Sequence, residues 1–208
     1  MSYFTINLMV MNFRILPVSL LLLLLTGAHS PSDVGSQEPF VLAIDPGHGG
    51  KDLGWNTDGL AEKDIILDLA LMMRELNTRR DLKVVLLREG DVYMGLKERA
   101  ERIAEIAPDR VLSLHLDSRG RADHPNQFGF ISQPNDRAGA EAAVRLAASV
   151  ERFGPVSTKT SDQFYALKHY PASAILVEIG SVSQAEGRAR LSDPAYREKL
   201  ARALLEAI

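Results

Sequence analysis

Residues 40–50 read FVLAIDPGHGG. Phe40 to Ile44 are continuously apolar, then Asp45 and Pro46 lead into glycines around His48. A run this short, bounded by turn formers, reads as a buried strand over Phe40–Asp45 feeding a glycine-rich turn. Downstream the pattern changes period. Ile65, Ile66, Leu69, Met72, Met73 and Leu76 recur at helical spacing, which predicts a helix over Glu62–Asn77. LKVVLL (Leu82–Leu87), RVLSLH (Arg110–His115) and AILVEI (Ala174–Ile179) are further buried strands, and Phe128–Ser132 a weaker one. Leu96–Ala107, stopped by Pro108, Arg137–Phe153 and Pro194–Ile208 read as helices, the last capped by Asp193 or Ser192. Strands alternating with helices predict an α/β domain: a central, mostly parallel, twisted sheet with helices on both faces. In such sheets ligands sit beyond the carboxyl ends of the strands.

The amino-terminal 30 residues belong to a different class. ILPVSLLLLLL (residues 15–25) follows Arg14, and Ala28-His29-Ser30 fits a small-residue cleavage site. Residues 1–30 therefore read as a secretory signal peptide and residues 31–38 (PSDVGSQE) as a polar linker, leaving 39–208 as the domain. The alternative is a retained anchor, but the run is short of the ~20 residues that span a bilayer. The protein is expected to be exported, to a periplasm or to the cell wall and exterior. The chain has no cysteine, which excludes disulfides, thiolate metal sites and thiol nucleophiles. Without the leader it keeps 23 basic against 27 acidic side chains, a net charge of −4. A mildly acidic balance makes the domain a poor candidate for nucleic-acid binding, which usually needs a basic face, and no nucleic-acid partner is expected. A monomer is expected.

Three side chains stand where metal chemistry would need them. His48 follows the first strand, Glu62 opens the first helix, and His115 ends the third strand. Two imidazoles and one carboxylate are a known catalytic zinc set, leaving a fourth position for water. One carboxylate leaves the ion near +1, so it would keep Lewis acidity for a carbonyl oxygen. Glu178 lies near the end of an otherwise apolar strand, where a carboxylate is costly unless paired, hydrogen-bonded or near a metal. Beside a water on such a metal it would serve as general base and then as proton donor to a leaving amine. Asp45 is a candidate to orient a ligand imidazole. His29 would leave with the leader, His124 lies in a polar loop, and His169 in LKHYPAS is read as a loop residue. Taken singly, each of these residues has an ordinary structural reading.

Together, in their flanking sequences, they carry a resemblance. IDPGHGGKDLG (44–54), GLAEKDIILDLA (59–70), SLHLDS (113–118) and ILVEIGSVSQ (175–184) resemble the motifs of the zinc-dependent N-acetylmuramoyl-L-alanine amidases of bacterial cell-wall turnover. LREGDVYMGLKERAERIA (87–104) and the closing SDPAYREKLARALLEAI (192–208) are similar to further segments of that family. The resemblance implies one Zn²⁺ on His48, Glu62 and His115, Glu178 as the catalytic residue, and peptidoglycan as substrate. It implies hydrolysis of the amide between the lactyl group of N-acetylmuramic acid and L-alanine. It names no activator. Leu87 stands where the family usually has Thr, and Asp117 and Gln184 where Asn is common. No inserted blocking helix is expected between His115 and Glu178. Two other readings stay open: a non-catalytic peptidoglycan-binding domain on the same fold, and a zinc peptidase acting within the stem peptide.

Overall fold

The computed structural model describes residues 1, 38–117, 127–182 and 184–208. Its elements are, in chain order, strands β1 (Phe40–Pro46), β2 (Asn56–Thr57) and β3 (Leu60–Ala61), helix α1 (Glu62–Leu76), strand β4 (Leu82–Leu86), helix α2 (Leu96–Ile106), strands β5 (Arg110–Asp117) and β6 (Phe128–Ser132), and helix α3 (Arg137–Val150). Then come strand β7 (Val156–Thr160), helix α4 (Tyr165–His169), strand β8 (Ala174–Ser181) and helices α5 (Ala185–Ser192) and α6 (Pro194–Glu206). The six longer strands form one sheet in the order β4-β1-β5-β8-β6-β7. Every neighbouring pair is parallel except β6 with β8. The α/β architecture with a mostly parallel sheet is therefore as expected, and Gln37–Ile208 form one compact unit.

Strand alternation sorts the core onto two faces. Leu42, Ile44, Leu112, Leu114, Phe128, Phe130, Ile175 and Val177 join the larger cluster, with α1, α3 and α6. Phe128 and Phe130 are fully buried there, each contributing about 2 kcal/mol of transfer free energy. Ala43, Val111, Ile131, Ala174 and Leu176 point the other way, against Ile103 of α2 and Ala166 and Leu167 of α4. Further along the strands this second face turns polar: Asp45 pairs in register with Ser113, and His115 with Glu178. Cover by α2 and by the five-residue α4 stops short of that end, and a cleft opens there.

Expected ends shifted little. The predicted helix to Phe153 is α3 followed by a 3-10 turn at Glu151–Phe153. Asp193, not Ser192, caps α6, accepting from the Ala195 N–H at 2.9 Å with Pro194 in the first turn. No described helix is long and apolar enough to cross a membrane. The expected signal peptide, linker residues 31–37, His29 and His124 lie outside the described residues.

Candidate metal centre

The three expected ligands arrive from different elements by different devices. His48 sits in the turn after β1 with φ of +60°, a left-handed conformation that costs energy outside glycine and asparagine. The turn is closed by paired backbone hydrogen bonds between Gly49 and Asp52, at 2.9 and 3.1 Å. Glu62 is the first residue of α1, whose N-terminus has no side-chain cap. Its free N–H groups are met by the turn instead: Glu62 donates to the Trp55 carbonyl at 2.8 Å and Lys63 to that of Leu53 at 3.3 Å. His115 lies on β5 just before a bulge, where the register with β8 slips between His115 and Asp117. Bulges re-aim side chains beside active sites. Here the bulge also turns the Leu116 N–H onto Glu62 Oε1 at 2.9 Å.

The result is a close triangle of ligand atoms. His48 Nε2 is 3.0 Å from Glu62 Oε1, His115 Nδ1 is 3.1 Å from the same oxygen, and the two nitrogens are 3.2 Å apart. The rings meet edge to face, with centroids 4.9 Å apart. Ligand atoms on a tetrahedral zinc, at bond lengths of 2.0–2.1 Å, stand about 3.3 Å from one another. Two imidazole nitrogens aimed at one carboxylate oxygen fit a shared cation, and these three residues are the group able to hold a metal ion among those described. Glu62 is nearly enclosed, at 3% exposure, with its second oxygen taking the Trp55 N–H at 3.0 Å. Burial works to raise its pKa, but hydrogen bonds from His115 and His48 outweigh it and hold the carboxyl well below the usual range. Burial alone would lower His48, yet bonding to Glu62 and Asp52 lifts it above the ordinary imidazole value.

Asp45 does not orient an imidazole as expected. Strand alternation points it under the sheet's second face, where Arg99, Ser113 Oγ (3.1 Å) and Tyr170 OH (2.6 Å) all donate to it. Asp52 takes the expected role, with its Oδ2 3.0 Å from His48 Nδ1 and its Oδ1 accepting the Gly54 N–H at 3.1 Å. Burial works to raise the Asp52 pKa, but the bonds to His48 and to the Gly54 N–H together outweigh it and lower the pKa. Carboxylates behind a ligand imidazole fix its tautomer and raise its basicity. Asp52→Ala is accordingly expected to weaken zinc binding by about 10–100-fold with little loss of fold. Competition against a chelating dye measures this, and unchanged affinity would show Asp52 to be incidental.

Two buried arginines hold the turn from below. Arg88 donates to the carbonyls of Pro46, Gly47, Lys63 and Gly90 at 2.8–3.1 Å. Arg99 binds Asp45 and the carbonyls of Met94, Pro46 and His48. Neither stood out in the sequence.

Glu178 is the register partner of His115 on β8 and is half-buried. It lines a chamber of about 450 Å³ together with His48, Trp55, Glu62, His115 and Leu116. A second chamber of about 340 Å³ adjoins it across His48 and His115, walled by Tyr93, Met94, Phe164 and Tyr165. The structure thus brings all four expected site residues to one cleft at the carboxyl ends of the strands. His169, read from the sequence as a loop residue, is instead the exposed last residue of α4 and packs near Tyr165, with ring centroids 4.3 Å apart. Leu87 is buried in the second core cluster and is not among the residues lining either chamber. Asp117 is buried beyond the bulge and is not among the residues lining either chamber. Gln184 precedes the first turn of α5. Among the described residues the helices between β5 and β8 are α3 and α4, and α4 walls the second chamber rather than filling the first.

Known proteins resemble this chain in sequence and fold. The chain is 29% identical over 170 residues to the N-acetylmuramoyl-L-alanine amidase LytC of Bacillus subtilis, covering 77% of this chain and 33% of that protein. It is 28% identical to the sporulation-specific N-acetylmuramoyl-L-alanine amidase of the same organism, covering 76% and 63%. The chain therefore spans from about a third to just under two thirds of the length of these relatives. Among solved structures, the amidase AmiC2 of Nostoc punctiforme superposes with a TM-score of 0.69 at 27% identity, over 81% of this chain and 94% of that one. An amidase from Clostridium difficile 630 shares the fold with a TM-score of 0.76 at 24% identity, over 82% and 95%. A sequence profile described as N-acetylmuramoyl-L-alanine amidase matches residues 42–208, every strand and helix of the unit apart from the first two residues of β1, and the chain belongs to that family.

Proposed function

We propose that the chain is a zinc-dependent amidase that hydrolyses the bond between N-acetylmuramic acid and L-alanine in peptidoglycan, outside the cytoplasm. The observation that carries this reading is the triangle of His48, Glu62 and His115 with Glu178 in register beside it. His48 Nε2, His115 Nδ1 and Glu62 Oε1 would hold one Zn²⁺. Bound there, the ion would supply Lewis acidity toward the amide carbonyl and lower the pKa of a water.

The protein's own groups would do the rest. Glu178 takes a proton from the attacking water as oxygen bonds to the carbonyl carbon. It returns that proton to the nitrogen as the C–N bond breaks, giving a lactyl carboxylate and a free alanyl amine. Glu178 lines the first chamber and not the second, so the leaving peptide would lie in the first, against Trp55 and Leu116. The acyl half, with its sugar, would extend toward Tyr93 and Tyr165. Asp52 and the Leu116 and Trp55 N–H groups hold His48 and Glu62 in place throughout.

Digestion of purified sacculi by the zinc-loaded protein tests this. Mass spectrometry should show intact stem peptides with a free L-alanine terminus. A chelator should abolish release and added zinc restore it. Shortened peptides would instead support the stem-peptidase reading, and zinc-replete protein that binds wall without releasing peptide would support the binding-module reading.

A further inference from the structure

Gly129 occupies an unfavourable place for a glycine. It lies within β6, between the fully buried Phe128 and Phe130, where a residue without a side chain weakens the strand and marks a close approach. Its register partner across the antiparallel β6–β8 pair is Glu178. A Cβ built on Gly129 would stand 2.7 Å from Glu178 Oε2, 3.3 Å from its Cβ and 3.5 Å from its Cδ. The Glu178 carboxylate therefore lies in the space that a side chain at position 129 would fill. A row crosses the sheet here: His115 on β5, Glu178 on β8, Gly129 on β6. At its far side Gly47, hydrogen-bonded to the Leu114 carbonyl at 3.0 Å, leaves room in the same way for the His115 ring, which occupies the place of its missing Cβ.

We propose that Gly129 is a positioning residue for catalysis: its missing side chain forms the seat that holds the Glu178 carboxylate beside His115 and the metal centre. This rests on the reading of Glu178 as the general base. The severe clash a methyl would cause is with the tip of a flexible side chain, which the protein can relieve by swinging Glu178 away; the 3.3 Å approach to Glu178 Cβ asks the two strands to give by a few tenths of an ångström. That relief is cheap for the fold and costly for the chemistry. The methyl would fall about 0.7 Å inside ordinary van der Waals contact with Oε2, which begins near 3.4 Å. A misplacement on the order of 1 Å can cost about 100-fold in rate. A purely structural glycine would behave the other way, losing stability first.

The test compares zinc-loaded wild type, Gly129→Ala, Glu178→Ala and the double variant. Gly129→Ala should keep one zinc and a Tm within about 2 °C of wild type, while kcat on muropeptides falls about 100-fold with KM little changed. In the Glu178→Ala background the same substitution should cost nothing further. Crystal structures of wild type and Gly129→Ala, which need no turnover, should show the carboxylate displaced. Full activity of Gly129→Ala, an unmoved carboxylate, or an additive loss in the double variant would each overturn the proposal. A fall in Tm with loss of zinc would make the role structural and overturn it too. Turnover retained by Glu178→Ala would overturn both this proposal and the base assignment, whereas an inert Glu178→Ala beside a fully active Gly129→Ala would overturn this one alone.

Discussion

Glu178→Ala is expected to retain its zinc and lose about 10²–10⁴-fold in kcat. The three ligand atoms that converge within 3.0–3.2 Å come from His48, Glu62 and His115, and Glu178 supplies none of them. It stands next to them, one strand over from His115, with its side chain at the chamber wall. Removing it should therefore spare the metal and take away the group that moves the proton. His115→Ala should do the reverse in the first instance, dropping the zinc and, with it, activity. Metal analysis of the two purified variants beside product release from muropeptides separates the roles. Zinc lost from Glu178→Ala, or turnover near wild type in it, would defeat the division of labour.

What the sequence displayed and what it hid follow from how each feature is encoded. The long elements were legible because burial writes apolar runs and helical spacing directly into the chain: Leu42 and Ile44, or Ile66, Leu69 and Met73, are at most 1% exposed. β7 was hidden because VSTKT is a partly exposed edge strand with no apolar run to betray it. α4 is a five-residue turn, and α5 (AEGRARLS) offers just two buried residues, Gly187 and Leu191. The β2–β3 hairpin is two residues on each side. The antiparallel orientation of β6 could not be read at all, since direction is set by the partner strand and not by the strand's own residues.

The site divides in the same way. Ligands at strand ends and at a helix start were readable from position and residue type. Their supports were not, because support depends on which way a backbone turns. Asp45 is three residues before His48 and looked suited to hold it, but its place in β1 points it at Ser113. Asp52, four residues after His48, returns to it because Gly49 and Asp52 close a tight turn. Gly129 carried no signal beyond being a glycine in an apolar strand. Its meaning appears once β6 is laid against β8.

The largest stability effect is expected at Arg99. Its guanidinium is 4% exposed and Asp45 is 2% exposed, so both charges have given up water for one another. Breaking such a buried pair by deleting one partner costs about 3–5 kcal/mol, because the remaining charge is stranded. Arg99→Ala also unbinds the carbonyls of Met94, Pro46 and His48. Tyr170 and Ser113 still donate to Asp45, which argues for the lower end of that range. For a domain of this size the loss corresponds to a fall in Tm of about 10 °C. The damage should not be uniform. The carbonyl released at His48 belongs to the turn that carries the first ligand in a left-handed backbone conformation, so zinc affinity should fall together with Tm. Excess zinc, which binds the folded form, should then recover part of the lost Tm. Arg99→Lys, with one ammonium in place of the planar fork, can meet Asp45 but not all of the carbonyls, and should fall between the two. Thermal unfolding of the three proteins with and without zinc decides it. A Tm for Arg99→Ala within 2 °C of wild type would mean that the turn holds its shape without the clamp, and that the strain at His48 is stabilised from somewhere other than α2.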